Sequence, residues 1–421
     1  MRQGGAKTKE NNTISQFQGL CTTLAATVGV GNIVGVSSAI CLGGAGAVFW
    51  MWVAAFFGMA TAYAENVLGI FYRKKDASGR WLGGAMYYLR HSLGGGRIGK
   101  TLAIVFSLCT ILVSFCMGNI SQINAITENL VNFVPLPTLE CVKIGNSNLY
   151  IIFLGTLLSL AVGLVIIGGI SRIANFTERI VPAMITVFLV ACGIVLFYNR
   201  NNIIPAVFSI FRHAFGNRAV LGGAAGTSLK HAISFGLRRG IFSNEAGLGS
   251  TVAANSSANV KEPAIGGMWG MLSVFIDTIV MCTVTALILL SSGLVNLETG
   301  AVLSHTPHTT LTAEVFGTVF GKAGNVFVTI FILLFAFSTV LGWSHFGSAA
   351  WVYLFGERSE YIYKVIFVLI IIPATTLTGD VSFGIADVAN AFMLLPNLIG
   401  VISLSPLVLE ITKSYKDRVF G

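Results

Sequence analysis

The chain has 421 residues, of which 54% are hydrophobic and 10% charged, with 48 glycines and a formal net charge of +9. An ordinary soluble domain is roughly 25% charged, so this surface cannot be covered for water, and the chain reads as an integral membrane protein. The basic residues fall between apolar runs without aromatic interleaving, which points to topology and anionic headgroups of a lipid bilayer rather than to nucleic acid.

Met1–Ser15 is polar and lacks the apolar core of a signal peptide, so insertion is expected to rely on the first span itself. A crossing helix needs about 20 apolar residues. Ten segments qualify: 16–44, 47–71, 101–127, 149–169, 181–199, 222–256, 265–293, 323–355, 361–378 and 382–410. The sixth is the weakest, because it carries Lys230, Arg238, Arg239 and Glu245. After the second span come Arg73, Lys74, Lys75, Arg80, Arg90, Arg97 and Lys100, with Asp76 the only acid, so this loop is expected in the cytoplasm. An even number of spans then puts both termini inside, in keeping with Lys413, Lys416 and Arg418 in the tail. Loop 130–148, with Lys143 its only base, falls outside; Arg200, Arg212 and Arg218 fall outside too, against the rule. Of the seven cysteines, only Cys141 lies clearly in a loop and none forms a CxxC pair; they read as small packing residues.

The first span is interrupted at Gly29-Val30-Gly31-Asn32, and the sixth, five spans later, between Gly240 and Gly249. Glycine-broken helices at corresponding places in two halves point to an inverted-repeat transporter; close packing of small residues is the alternative. The expected organisation is a polar cytoplasmic N-terminus (1–15), a first five-helix repeat (16–199), an external connection (200–221), a second five-helix repeat (222–410) and a cytoplasmic tail (411–421). At such a break the new helix N-terminus offers N–H groups suited to a carboxylate, and the preceding C-terminus offers carbonyls suited to a cation.

Val28-Gly29-Val30-Gly31-Asn32 resembles the first-helix break of the leucine-transporter fold. Longer stretches are similar to the alanine or glycine:cation symporter family over nearly the whole chain. They are Gln18 to Ile40, Gly43 to Trp52, Gly83-Gly84-Ala85-Met86-Tyr87-Tyr88, Gly240-Ile241-Phe242-Ser243-Asn244-Glu245-Ala246-Gly247-Leu248-Gly249-Ser250, Phe275-Ile276-Asp277-Thr278 and Pro396-Asn397. The resemblance implies an all-α polytopic protein of leucine-transporter-like fold, with two inverted five-helix repeats and helices 1 and 6 broken. It also implies a monomer in the cell membrane that imports alanine or glycine by symport with Na+, H+ being the alternative ion. Family members usually carry one further helix before the first span found here, and proline where Ala85 stands.

The substrate is expected at Gly29, Gly31, Asn32, Gln122, Phe242, Ser243, Asn244 and Trp343. Gln122 continues a small or polar stripe with Ser114 and Gly118, and the resemblance makes it a substrate contact; an interhelical hydrogen bond is the alternative. The small backbone of Gly29 and Gly31 and the bulk of Phe242 and Trp343 favour a small side chain; aromatics facing lipid or filling the core, in a chain with 30 phenylalanines, are the alternative. The resemblance places sodium among the carbonyls of Ala25, Val28 and Ala336 and the hydroxyls of Ser338 and Thr339; hydroxyls bonding back to their own helix are the alternative. Asp277, in the middle of an apolar run, is costly there and is read as functional. Its expected partners are Asn32, Ser243 and Asn244, completing a second cation or proton site, with pairing to Arg238 or Arg239 the structural alternative. Glu65 is read as an ion pair or helix-end residue, Arg239 with Glu245 as an internal strut, and His345 as packed. His91, His213, His231, His305 and His308 show no metal spacing. No HExxH, GxSxG or GxxxxGK[ST] occurs, which argues against an enzyme or an ATP-driven pump. A channel fits the hydropathy but not the paired breaks.

Overall fold

Membrane-buried backbone must satisfy its own hydrogen bonds, so apolar runs of this length become helices. The computed structural model describes residues 13–76, 79–133, 143–144, 147–215, 229–300, 302–304, 309–376 and 379–420; residues 1–12, Cys141, Arg218, His305, His308 and part of the expected 200–221 connection lie outside them. In chain order the helices are α1 (Gln16–Thr27), α2 (Val34–Gly43), α3 (Ala47–Tyr72), α4 (Ala85–Leu89), α5 (Gly96–Phe115), α6 (Ser121–Phe133), α7 (Leu149–Ile166), α8 (Gly169–Tyr198), α9 (Ile203–Phe215) and α10 (Leu229–Asn244). There follow α11 (Val252–Ser256), α12 (Pro263–Val274), α13 (Thr283–Ser291), α14 (Leu311–Phe320), α15 (Lys322–Phe355), α16 (Glu360–Leu369), α17 (Ile371–Ala374), α18 (Gly379–Ser403) and α19 (Ser405–Phe420).

Among the described residues, six uninterrupted stretches are long and apolar enough to cross a membrane, and α18 with α19 makes a seventh, bent by 56°. The other three expected spans are present as shorter pieces: the first as α1 and α2, the sixth as α10 and α11, the ninth as α16 and α17. Two boundaries differ from expectation. The fifth span begins at Gly169 rather than 181, because the polar residues of its first turns are used against neighbours: Arg172 donates to the Leu164 carbonyl (2.6 Å), and Glu178 accepts from Gln18 (2.8 Å). The tenth ends at Ser403, and α19 continues in a new direction.

Apolar side chains cover the outside of the molecule as well as filling its core. Phe56, Phe57, Leu164, Phe197 and Ile204 are exposed, whereas Asn32, Glu65, Glu245, Asp277 and Asn397 are fully enclosed. Lipid covers the first set, and the second must find partners inside. The helix α1 begins with a capping box, in which Ser15 Oγ accepts from the Gln18 N–H and Gln18 Oε1 accepts from the Ser15 N–H. It packs on α8 and α15, while α3 lies between α10 and α12 and α15 runs along α5 and α6. Two π-helical segments, Cys116–Ile120 between α5 and α6 and Phe275–Cys282 between α12 and α13, widen helices beside the breaks. After α3, a short hairpin pairs Lys74–Lys75 with Trp81–Leu82. Under it the Arg73 guanidinium donates to the carbonyls of Ser256, Ala258 and Val260, fastening the C-terminal end of α11.

Candidate functional site at two interrupted helices

The end of α1 is set by one diverted hydrogen bond. The N–H of Gly29 would continue the helix by donating to the Ala25 carbonyl; instead it donates to Asn32 Oδ1 (3.0 Å). Ala25 is thereby left to accept from the Thr339 hydroxyl on α15 (3.2 Å), which also faces the Phe335 carbonyl (3.0 Å). Gly29 is required by the approach of α15, because a Cβ there would lie 2.5 Å from Thr339 Oγ1.

The sixth span is broken by the same device. The N–H of Ala246, due to the Phe242 carbonyl in a continuous helix, donates to Asn244 Oδ1 (3.0 Å). From there Glu245, Gly247 and Gly249 adopt positive φ (57°, 87° and 70°), and the chain crosses open backbone before α11. Each break therefore carries an asparagine that takes the N–H meant for the next turn.

The breaks meet at Asp277. Asn32 Nδ2 donates to Asp277 Oδ1 (2.8 Å) and Ser243 Oγ (3.2 Å); Ser243 Oγ and Thr278 Oγ1 donate to Asp277 Oδ2 (2.7 and 2.9 Å). Asn244 Nδ2 donates to Thr278 Oγ1 (3.0 Å), and Cys282 Sγ lies 3.3 Å from Ser243 Oγ. Partners on three helices hold the carboxylate in a charge-assisted network.

Several expected residues converge here. Gly31 faces the Phe242 ring, a Cβ on Gly29 would come 3.7 Å from Gln122 Oε1, and Trp343 packs against Gly118 in the π segment. Gln122 Nε2 donates to the Met117 carbonyl (3.3 Å), but its buried Oε1 has no partner among the described residues. Thr27 Oγ1, at the end of α1, is likewise buried without one among these residues. Val28 and Ala336 are fully buried, and the Ser338 hydroxyl donates back to the Phe335 carbonyl (2.9 Å).

Asp277 takes donors from Asn32 and Ser243, as expected, and not from Arg238 or Arg239; Asn244, the third expected partner, bonds Thr278 instead. Other readings change. No strut joins Arg239 to Glu245: the Glu245 oxygens accept from Trp343 Nε1 (2.9 Å) and Ser250 Oγ (2.6 Å), and Arg239 lies over the Phe242 ring. Glu65 makes no ion pair among the described residues. It accepts from Asn397 Nδ2, whose other bonds run from Nδ2 to the Gly247 carbonyl (2.8 Å) and from the Tyr88 hydroxyl to Oδ1. His345 packs as expected, with Nε2 beside Ser257 Oγ (3.2 Å). Roles for Thr278, Asn397 and Tyr88 were not assigned from sequence, although all three lie in stretches that carry the resemblance.

The fold is shared with MhsT, whose crystal structure in complex with L-phenylalanine superposes with a TM-score of 0.65 at 15% identity, covering 93% of this chain and 89% of that one. The sodium/alanine symporter AgcS of Methanococcus maripaludis is 40% identical over 96% of this chain and 84% of its own length. The probable sodium/glutamine symporter GlnT of Bacillus subtilis is 32% identical over 99% and 83%. The profile of the sodium:alanine symporter family matches residues 1–419. With two broken helices meeting at a buried polar centre in a leucine-transporter-like fold, the chain belongs to the sodium:alanine symporter family and is a membrane transporter rather than an enzyme.

Proposed function

We propose that this transporter carries alanine or glycine into the cytoplasm by symport with sodium, through alternating access at the two breaks. Sodium-coupled amino-acid transport is the family's activity; the substrate and the residues are our reading. The observation that carries it is Gln122 Oε1, a buried acceptor beside Gly29 that finds no donor among the described residues. A buried acceptor without a partner is costly, and an amino-acid ammonium arriving there supplies the missing N–H. The substrate carboxylate then meets the opened backbone around Gly31, the Asn32 N–H being taken by the Gly29 carbonyl (3.2 Å). Phe242 and Trp343 limit the side chain to hydrogen or methyl. The amide ends of Asn32 and Asn244 are already engaged in holding the breaks, so both act chiefly by shaping the site, with Ser243.

Sodium is cargo in this scheme, taken up at the C-terminal end of α1. The Ala25 carbonyl released by the diverted Gly29 N–H and the Thr339 hydroxyl beside it are the core of that set, completed by Val28, Ala336 and Ser338. Hard oxygen donors of this kind suit a hard cation. Asp277 favours a second reading for the same centre, as a second cation or proton site, because a buried carboxylate with three side-chain donors is built to hold charge. Replacing Gln122 by Leu tests the substrate assignment in proteoliposomes. The KM for alanine should rise roughly tenfold to a hundredfold, the equivalent of about 1.4–2.8 kcal/mol, with the sodium requirement retained. An unchanged KM contradicts the assignment.

A further inference from the structure

Glu245 occupies an unfavourable backbone position. Its φ of 57° is in the left-handed region, where glycine or asparagine is the ordinary choice, and Leu93 is the one other non-glycine residue there among those described. Its neighbours at the same break, Gly247 and Gly249, use glycine for the same conformation. The side chain therefore outweighs backbone comfort at this point, and its contacts show what it supplies. One oxygen accepts from the indole N–H of Trp343 (2.9 Å), the other from the hydroxyl of Ser250 (2.6 Å), and all three residues are buried.

Trp343 is fully buried, and its indole has one donor and no acceptor. A Cβ on Gly118 would collide with it, and at the preceding residue Gly342 leaves no room for a Cβ against Ala26 (2.6 Å). The ring thus lies against the π segment of the third span, its helix approaches α1 closely at Gly342, and its polar edge is held from the sixth span. Ser250 lies beyond the open backbone, so the carboxylate bridges from the indole across the whole interruption.

We propose that Glu245 is the positioning residue for substrate size: it pins the Trp343 indole as a wall of the amino-acid pocket and ties that wall to the hinge of the sixth span. This rests on the reading of Gln122, Phe242 and Trp343 as lining the substrate site. Glu245 does not touch substrate; it acts through the indole. A glutamine here keeps an acceptor for the indole, while its amide group donates to the Ser250 oxygen. A methionine fills the same length without a strong acceptor.

The test compares kcat/KM for alanine and for leucine in proteoliposomes under a sodium gradient. In Glu245→Met the alanine preference should fall about tenfold or more, the scale on which a pocket discriminates methylene groups, and in Glu245→Gln it should stay within about threefold of the native value. In a Trp343→Phe background, which has no N–H to hold, Glu245→Met should leave the ratio unmoved. Glu245→Asp, one methylene short of the indole, gives the same reading should the methionine variant not fold. If a folded Met or Asp variant slows both substrates equally and keeps the native ratio, Glu245 is merely structural and the proposal is overturned. A native protein that moves no alanine refutes the substrate reading instead, and this proposal with it.

Discussion

At the scale of single residues, the consequential event is the diversion of the Gly29 N–H to Asn32, which frees the Ala25 carbonyl for Thr339. Removing that hydroxyl in Thr339→Ala should raise the sodium concentration for half-maximal transport about tenfold, equivalent to about 1.4 kcal/mol, whereas Thr339→Ser, which keeps it, should stay close to native. Sodium titration of alanine uptake reads the difference, and an unchanged sodium dependence in the alanine variant removes Thr339 from the ion site. The partnership of Asn32, Ser243 and Asp277 was legible in the sequence, because a carboxylate inside an apolar run needs donors and the two broken segments are polar stretches able to give them. The bond from Trp343 to Glu245 was not legible. The two residues lie 98 positions apart, and each has an ordinary alternative: a packed aromatic and an ion-paired acid.

At the scale of elements, the sixth span shows how tightly its interruption is specified. Gly249 has a φ of 70°, and a Cβ there would lie 2.7 Å from Asn397 Oδ1 and 2.9 Å from the Ala85 Cβ. Gly249→Ala should therefore destabilise the protein by about 2–3 kcal/mol, combining the left-handed penalty with displacement of Asn397 from Glu65. Thermal unfolding in detergent measures this, and a variant as stable as native would show that the break tolerates other backbone paths. Both breaks could be read from glycine and polar residues inside apolar runs. Between α16 and α17 only Ile370 falls outside the helices, with helical dihedrals (φ −64°, ψ −21°) and the Ala374 N–H donating to its carbonyl (3.0 Å), so residues 361–378 read as one span. The early start of α8 was hidden because hydropathy scores Arg172 and Glu178 as loop, whereas their partners on neighbouring elements let the helix continue through them.

At the scale of the whole molecule, the ten apolar segments foretold the helices, and the interruptions foretold which would be broken. The relation of 16–199 to 222–410 as inverted five-helix repeats is our proposal for how those halves move around the shared centre. Alanine is a zwitterion without net charge, so each co-transported sodium carries the full electrical drive. With one sodium per alanine, 100 mV contributes about 2.3 kcal/mol and a tenfold sodium gradient about 1.4 kcal/mol, enough to sustain an alanine gradient of about 500-fold.

The most direct measurement is uptake of labelled alanine by the purified protein in liposomes, with inward sodium, proton and potassium gradients imposed one at a time. Symport with sodium predicts accumulation above the external concentration with sodium alone, rising when the interior is made negative. Accumulation driven by protons without sodium, or alanine that only equilibrates under every gradient, would contradict it.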